Sequence, residues 1–328
     1  MYKIPTIKDI LEARNIVSRY LLKTPLYYSQ AISKLTGAEI YIKFENHQPI
    51  GVFKIRGGLV RLHHMNEEEK KRGVITPSTG NHGQSIAYAA RTFGVKAVIL
   101  GPENNNPVKT ESMRNLGADV ILYGKDFDEA REYAFTKSKE DAMTFIHVAN
   151  EPHLIAGVGT IGLEIIEDLP DIDIMINPLG GGSSLCGNTI ALKTFNPDII
   201  TIGVQAEKAP AIYKSWKAGK IMEEPSADTF ADGLATRVPF ELTFKIIQQM
   251  VDDIVLVSEE EMERAILILF KTTRNLAEGA GAASTAAALK LKDRIKGKKV
   301  VLLLSGGNLE FSKFTEIIEK WKNFDFEA

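Results

Sequence analysis

Residues 173–189 read DIMINPLGGGSSLCGNT. An apolar run closes on Asn177 and Pro178. Four small residues follow, Gly180, Gly181, Gly182 and Ser183, and a helical pattern begins. This is a strand, a tight turn and a helix, the unit from which α/β folds are built. In such folds ligands bind beyond the carboxyl ends of the strands. The small residues let backbone N–H groups turn inward, and Ser183 and Ser184 add hydroxyl donors at the positive end of a helix, an arrangement suited to a phosphate. The spacing matches neither the dinucleotide fingerprint nor the nucleotide-phosphate motif ending in Gly-Lys-Ser/Thr, so the phosphate is not that of NAD or ATP.

The same alternation extends outward. Short Val- and Ile-rich runs recur between amphipathic stretches: AEIYIKFE, RGVITP, VKAVILG, ADVILYG, TFIHVA, DIMINPLG, IITIGVQA, DDIVLVS and KVVLLLSGG. Strands alternating with helices favour parallel sheets with right-handed crossovers, and nine strands exceed one typical sheet, so two are expected. Ser258, followed three residues later by Glu261, predicts a capped helix start. Gly94 predicts the end of a helix that opens in GNHGQS.

Composition narrows the function. The chain has 328 residues, enough for about two domains, and a net charge of −2, which gives nucleic acid or an acidic membrane no footing. One cysteine, Cys186, excludes an intramolecular disulfide framework and suits a reducing compartment. With no secretory leader pattern and no apolar run long enough for a bilayer, a cytoplasmic protein is expected.

Two further glycine-rich segments end strands. In PSTGNHGQS (77–85) hydroxyls, an amide and a helix start converge, suiting a carboxylate. LLLSGGNLE (302–310) places Ser305 and Asn308 after an apolar strand. In GVFKIRGG (51–58), Lys54 stands between Phe53 and Ile55. An ammonium that loses hydration has a lowered pKa and exposes a nucleophilic amine able to form an imine with an aldehyde. A desolvated lysine joined to a non-nucleotide phosphate cradle points to pyridoxal 5'-phosphate. Arg56, Arg61, His63 and His64 read as surface or packing residues.

KFENHQPIGVFKIRGG, STGNHGQS, PLGGGSSLCG, ADGLA and LSGGN stand here in order. Together with the opening DILEARN and TPL, they resemble the serine/threonine dehydratase and serine racemase group of the β-family, or fold type II, pyridoxal-phosphate enzymes. The resemblance runs from about Thr6 to Asn308. It implies a tryptophan synthase β-like α/β fold, with two open twisted, mostly parallel sheets flanked by helices and the cofactor in an interdomain cleft. Residues 1–72 and 151–328 would form the large cofactor-binding domain and 73–150 a small mobile one.

By that resemblance Lys54 would be the Schiff-base lysine and proton carrier, with Phe53 beside the cofactor. Asn81 would bond the cofactor's 3'-hydroxyl, and Ser78, Thr79, Asn81 and His82 would surround the substrate carboxylate. Gly180, Gly181, Gly182, Ser183 and Ser184 would hold the phosphate, Gly233 would lie against the cofactor, and Ser305 would face the pyridine nitrogen. The implied reaction is β-elimination from L-threonine or L-serine to 2-oxobutanoate or pyruvate and ammonia. The alternatives are serine racemisation and dehydration of another 3-hydroxy amino acid such as 3-hydroxyaspartate or an arylserine. Thr79 keeps the hydroxyl that the group's racemases carry opposite the lysine, so it is the second candidate catalytic residue. Val52 replaces the usual Ser or Thr, and Ser183 a frequent glycine. Gln205, Ala209 and Ala211 stand near the positions of the racemases' metal-binding acids, with Glu207 the nearby carboxylate, and no bound metal is expected. A homodimer or homotetramer acting on a small amino acid, without a regulatory domain after LSGGN, completes the expectation.

Overall fold

The structure, a computed structural model, describes residues 3–323. Among them ten strands run in chain order: β1 (Leu26–Tyr28), β2 (Glu39–Phe44), β3 (Val74–Pro77), β4 (Ala97–Gly101), β5 (Asp119–Leu122), β6 (Thr144–Phe145), β7 (Ile174–Pro178), β8 (Ile200–Ala206), β9 (Asp253–Val257) and β10 (Lys299–Leu304). They form two sheets, ordered β1-β2-β10-β7-β8-β9 and β5-β4-β3-β6. Every pairing is parallel except that of β1 with β2. All nine apolar runs supply a strand. β1 is the one they did not announce: three residues on a sheet edge, with Tyr27 and Tyr28 exposed.

The chain packs as two compact units. One comprises the stretch up to Leu21 with Lys54–Thr160 and contains the smaller sheet; the other comprises Leu22–Phe53 with the chain from Ile161 onward and contains the larger. Residues 73–150, the expected small domain, lie in the first unit, which also takes in the helices Ile7–Val17 and Ile55–His63.

In the first unit, β3 and β4 are buried along their whole length, as the continuous apolar reading of a covered parallel strand requires. β3 leads into the helix Asn81–Phe93, which ends on Gly94 in the left-handed conformation that glycine adopts freely. The helix Ile55–His63 lies so close to it that a Cβ on Gly58 would stand 2.4 Å from the Ser85 hydroxyl. Arg56, read from sequence as surface or packing, is fully buried, and its Nη1 donates to Thr160 Oγ1 at 3.1 Å.

In the second unit β10 lies between β2 and β7, and its residues from Val300 to Leu304 are buried. The helix Gly279–Lys290 is buried through its first ten residues, and its small side chains allow close approach to the backbone around Gly306. Among the described residues, Lys43 and Glu45 enter this core with partners. Lys43 donates to Glu164 Oε2 at 2.6 Å and to the Thr24 carbonyl at 2.8 Å, while Glu45 accepts from Thr24 Oγ1 at 2.6 Å. The predicted cap at Ser258 and Glu261 is reciprocal: the Glu261 amide donates to Ser258 Oγ, and the Ser258 amide to Glu261 Oε2. Among the described residues no helix is long and apolar enough to cross a membrane.

Candidate active site

The candidate residues fall into two groups, one in each unit. In the first unit, Lys54 is the residue on which the helix Ile55–His63 begins, half-buried between buried Phe53 and Ile55. Its backbone is fixed: the Lys54 carbonyl accepts from the Gly58 amide at 3.2 Å and from the Ser85 hydroxyl at 2.6 Å.

The turn after β3 is built by Ser78. Its Oγ accepts from the amides of Gly80 at 3.1 Å and Gly83 at 2.8 Å, which holds the start of the helix Asn81–Phe93 in place. Two acceptor positions are thereby used, and the Ser78 proton remains to donate. Thr79 and Asn81 are half-buried beside it, and the stem of Lys109 lies against Gly80. His82 is buried. Desolvation, then the nearby charges of Lys54 and His147, hold its imidazole pKa well below the ordinary value. His147 is depressed to about 4, by burial first and Arg131 second, and its Nδ1 accepts from the amides of Ala149 and Asn150.

In the second unit the turn after β7 carries Gly180, Gly181 and Gly182 into the helix Ser183–Phe195. Two of these glycines are dictated by packing. A Cβ on Gly180 would stand 1.9 Å from the Gly233 carbonyl oxygen, and Gly182 has φ 91°, with Thr243 Cβ 2.9 Å from where its own Cβ would be. Gly233 is therefore held at the glycine turn through its backbone. Ser183 and Ser184 divide: the Ser184 Oγ receives the Asn177 side-chain amide at 2.9 Å, while the Ser183 hydroxyl has no hydrogen-bond partner among the described residues. Cys186 is buried, and burial pushes its thiol pKa up, which makes it unreactive.

Residues 51–53 run antiparallel to 305–307. The Phe53 amide donates to the Ser305 carbonyl at 3.0 Å, the Gly307 amide to the Gly51 carbonyl at 2.9 Å, and Val52 bridges Gly306. Val52 is accordingly a packing residue against that backbone, with its Cγ2 3.0 Å from an ideal Cβ on Gly306. The Ser305 side chain is buried, and its hydroxyl also has no hydrogen-bond partner among the described residues. Glu278 Oε1 lies 2.7 Å from the Cβ position of Gly306, which brings a buried carboxylate beside Ser305's neighbour.

These donor sets fit pyridoxal 5'-phosphate. The turn 180–182 presents amides and the Ser183 hydroxyl at a helix start, as a phosphate requires, and the Ser305 hydroxyl, which makes no hydrogen bond among the described residues, is open to a ring nitrogen. Gln205 Oε1 accepts from the Tyr213 amide and Glu207 from Lys290. Among the described residues no group of three His, Cys, Asp or Glu is placed to hold a metal. Sequence reasoning passed over Thr76, Ser85, Lys109 and Glu278; Thr76 and Ser85 stand out only as polar residues in an otherwise buried strand and helix face, while Lys109 lies in a polar helix and Glu278 just before a helix start.

Comparison with known proteins agrees over nearly the whole chain. Residues 17–306 match the family described as pyridoxal-phosphate dependent enzyme. An L-threonine ammonia-lyase of Thermotoga maritima is 45% identical over 96% of this chain and 78% of its own length. The catabolic L-threonine dehydratase TdcB of Staphylococcus aureus strain N315 is 40% identical over 98% of this chain and 94% of its own. Among solved structures, threonine deaminase isoform 2 of Solanum lycopersicum superposes with a TM-score of 0.91 at 33% identity, covering 97% of this chain and 90% of that one. Maize serine racemase gives 0.92 at 30%, covering 98% and 99%.

Proposed function

This chain belongs to the pyridoxal-phosphate dependent enzymes, and from that premise we propose that it deaminates L-threonine and L-serine to 2-oxobutanoate and pyruvate. It is a lyase of the ammonia-lyase type, and its cofactor is pyridoxal 5'-phosphate. The observation that carries the reading is the 45% identity to a threonine ammonia-lyase across 96% of the chain.

Each residue's part follows from its chemistry. Lys54 holds the cofactor through its amine, and its fixed carbonyl limits where that amine can reach. The amides of Gly180, Gly181 and Gly182 with the Ser183 hydroxyl would bind the phosphate, and Ser305 would donate to the ring nitrogen. A neutral hydroxyl there, rather than an acid, would make the ring a milder electron sink, which suits elimination. When bound, the cofactor supplies a sink for the electrons of the substrate's α C–H bond. Lys54, as the unprotonated amine, would take the α-proton, and the β-hydroxyl would leave with a proton as water. Water then replaces the nitrogen, so the net products are a 2-oxo acid and ammonia. Thr79, Asn81 and the amides of the helix start hold the carboxylate. Ser184 accepts from Asn177, which ties it to the loop while its proton remains to donate toward the phosphate.

The test is turnover of cofactor-loaded protein on L-threonine, L-serine, D-serine and 3-hydroxyaspartate, following oxo acid and enantiomer together. Oxo acid from L-threonine and L-serine is expected. Enantiomer exchange of serine without oxo acid would instead favour racemisation, the second reading, which the likeness to maize serine racemase supports. Lys54→Ala should lose turnover together with the cofactor's visible absorbance. The reading includes a homodimer or homotetramer in the cytoplasm, checked by light scattering and cell fractionation.

A further inference from the structure

Thr76 in β3 is a fully buried hydroxyl whose one proton is already committed. It donates at 2.9 Å to the carbonyl of Ile146, a group that can only accept. The same oxygen lies 2.9 Å from Nε2 of His82. With the hydroxyl proton spent, the hydrogen bond to His82 forms only if Nε2 carries the hydrogen. The imidazole is buried at a helix start, near Lys54 and His147, three conditions that each oppose a second proton. A neutral ring has one N–H, so Nδ1 keeps its lone pair, and Nδ1 makes no hydrogen bond among the described residues.

We infer that Thr76 is a positioning residue: it locks His82 in the Nε2–H tautomer, so that Nδ1 is a hydrogen-bond acceptor for an N–H or O–H of the amino-acid substrate. The inference rests on the proposed reading that the turn 78–82 receives that substrate. It reassigns His82, because a lone pair repels a carboxylate oxygen. The carboxylate belongs to Thr79, Asn81 and the helix-start amides, while His82 meets the amino group or the β-hydroxyl, the two donors that an amino acid of this class offers.

Two variants test it. Thr76→Val keeps the shape and removes the oxygen, and Thr76→Ser restores it. Ring nitrogen NMR of His82 should show the Nε2–H tautomer in the parent and in Thr76→Ser, and a loss of that single tautomer in Thr76→Val. An Nδ1–H ring in the parent, or an unchanged tautomer in Thr76→Val, would overturn the inference. This arm needs no turnover, so it stands even if the proposed reaction fails. With L-serine, kcat/KM should fall about tenfold in Thr76→Val and return to within about twofold in Thr76→Ser; no fall, or no rescue, would sink the idea. An equal fall with 3-chloroalanine, which lacks the hydroxyl, assigns Nδ1 to the amino group, and a fall confined to serine assigns it to the β-hydroxyl.

Discussion

The carbonyl oxygen of Gly233 stands 1.9 Å from the point where a Cβ on Gly180 would lie, so these two backbones touch with no room for a side chain. Gly180→Ala must displace one of them. Overpacking of this kind costs about 1–3 kcal/mol, and here it distorts the turn that receives the phosphate. The expected outcome is a lowered Tm and a cofactor Kd raised by at least tenfold, measured by titrating pyridoxal 5'-phosphate into the variant.

Ser183 and Ser184 should separate by phenotype although they are neighbours. Ser184 belongs to a buried chain in which Asn177 donates to it, Asn188 donates to Asn177, and the Gly162 amide donates to Asn188. Ser184→Ala should lower stability by about 1–2 kcal/mol because it removes an acceptor from this buried chain, whereas Ser183→Ala should weaken cofactor binding with stability nearly unchanged. Denaturant unfolding and cofactor titration read the two effects independently.

Val52→Thr tests whether the departure at this position sets substrate choice. The side chain is buried against Gly306, so the new hydroxyl enters an apolar setting at a cost of about 1–2 kcal/mol. Melting should occur at lower temperature, while the ratio of kcat/KM for threonine to that for serine stays within about twofold of the parent. A larger change in that ratio would place Val52 against substrate.

Acid should destabilise the first unit through its buried histidines. His153 is depressed to about 4 by burial, then by His64, which stacks on it at 4.1 Å, and by Arg61, against the opposing pull of Asp9 and Glu12; His147 is also depressed to about 4. Between pH 6.5 and about 4 the unfolded chain binds protons at these rings that the folded chain does not. Stability is therefore full above that window and falls as pH drops through it, by on the order of 1–2 kcal/mol per ring after solvent screening. Because His82 and His63 are also held below the ordinary value in this unit, His153→Gln should reduce the slope without abolishing it in urea unfolding followed across that range.

The parallel strands were legible because a strand covered on both faces is written as an unbroken Val, Ile and Leu run, as in β10. β1 was not, since three residues with two exposed tyrosines carry no period to detect. Lys54 stood out because an ammonium among Val52, Phe53 and Ile55 contradicts its surroundings. Ser85 and Thr76 did not: a single hydroxyl acquires meaning only from the carbonyl it faces, and those carbonyls belong to Lys54 and Ile146, 31 and 70 residues away. Arg56 shows the same limit, since its partner Thr160 lies 104 residues along the chain.

β10 fills the gap between β2 and β7 yet leaves the ribosome after both of them. Until it emerges, the larger sheet exists as two fragments with unpaired edges, and residues 51–53 lack the rung formed by 305–307. A nascent chain halted before residue 299 therefore exposes sticky strand borders to chaperones, and the rung beside Lys54 forms only once β10 has emerged.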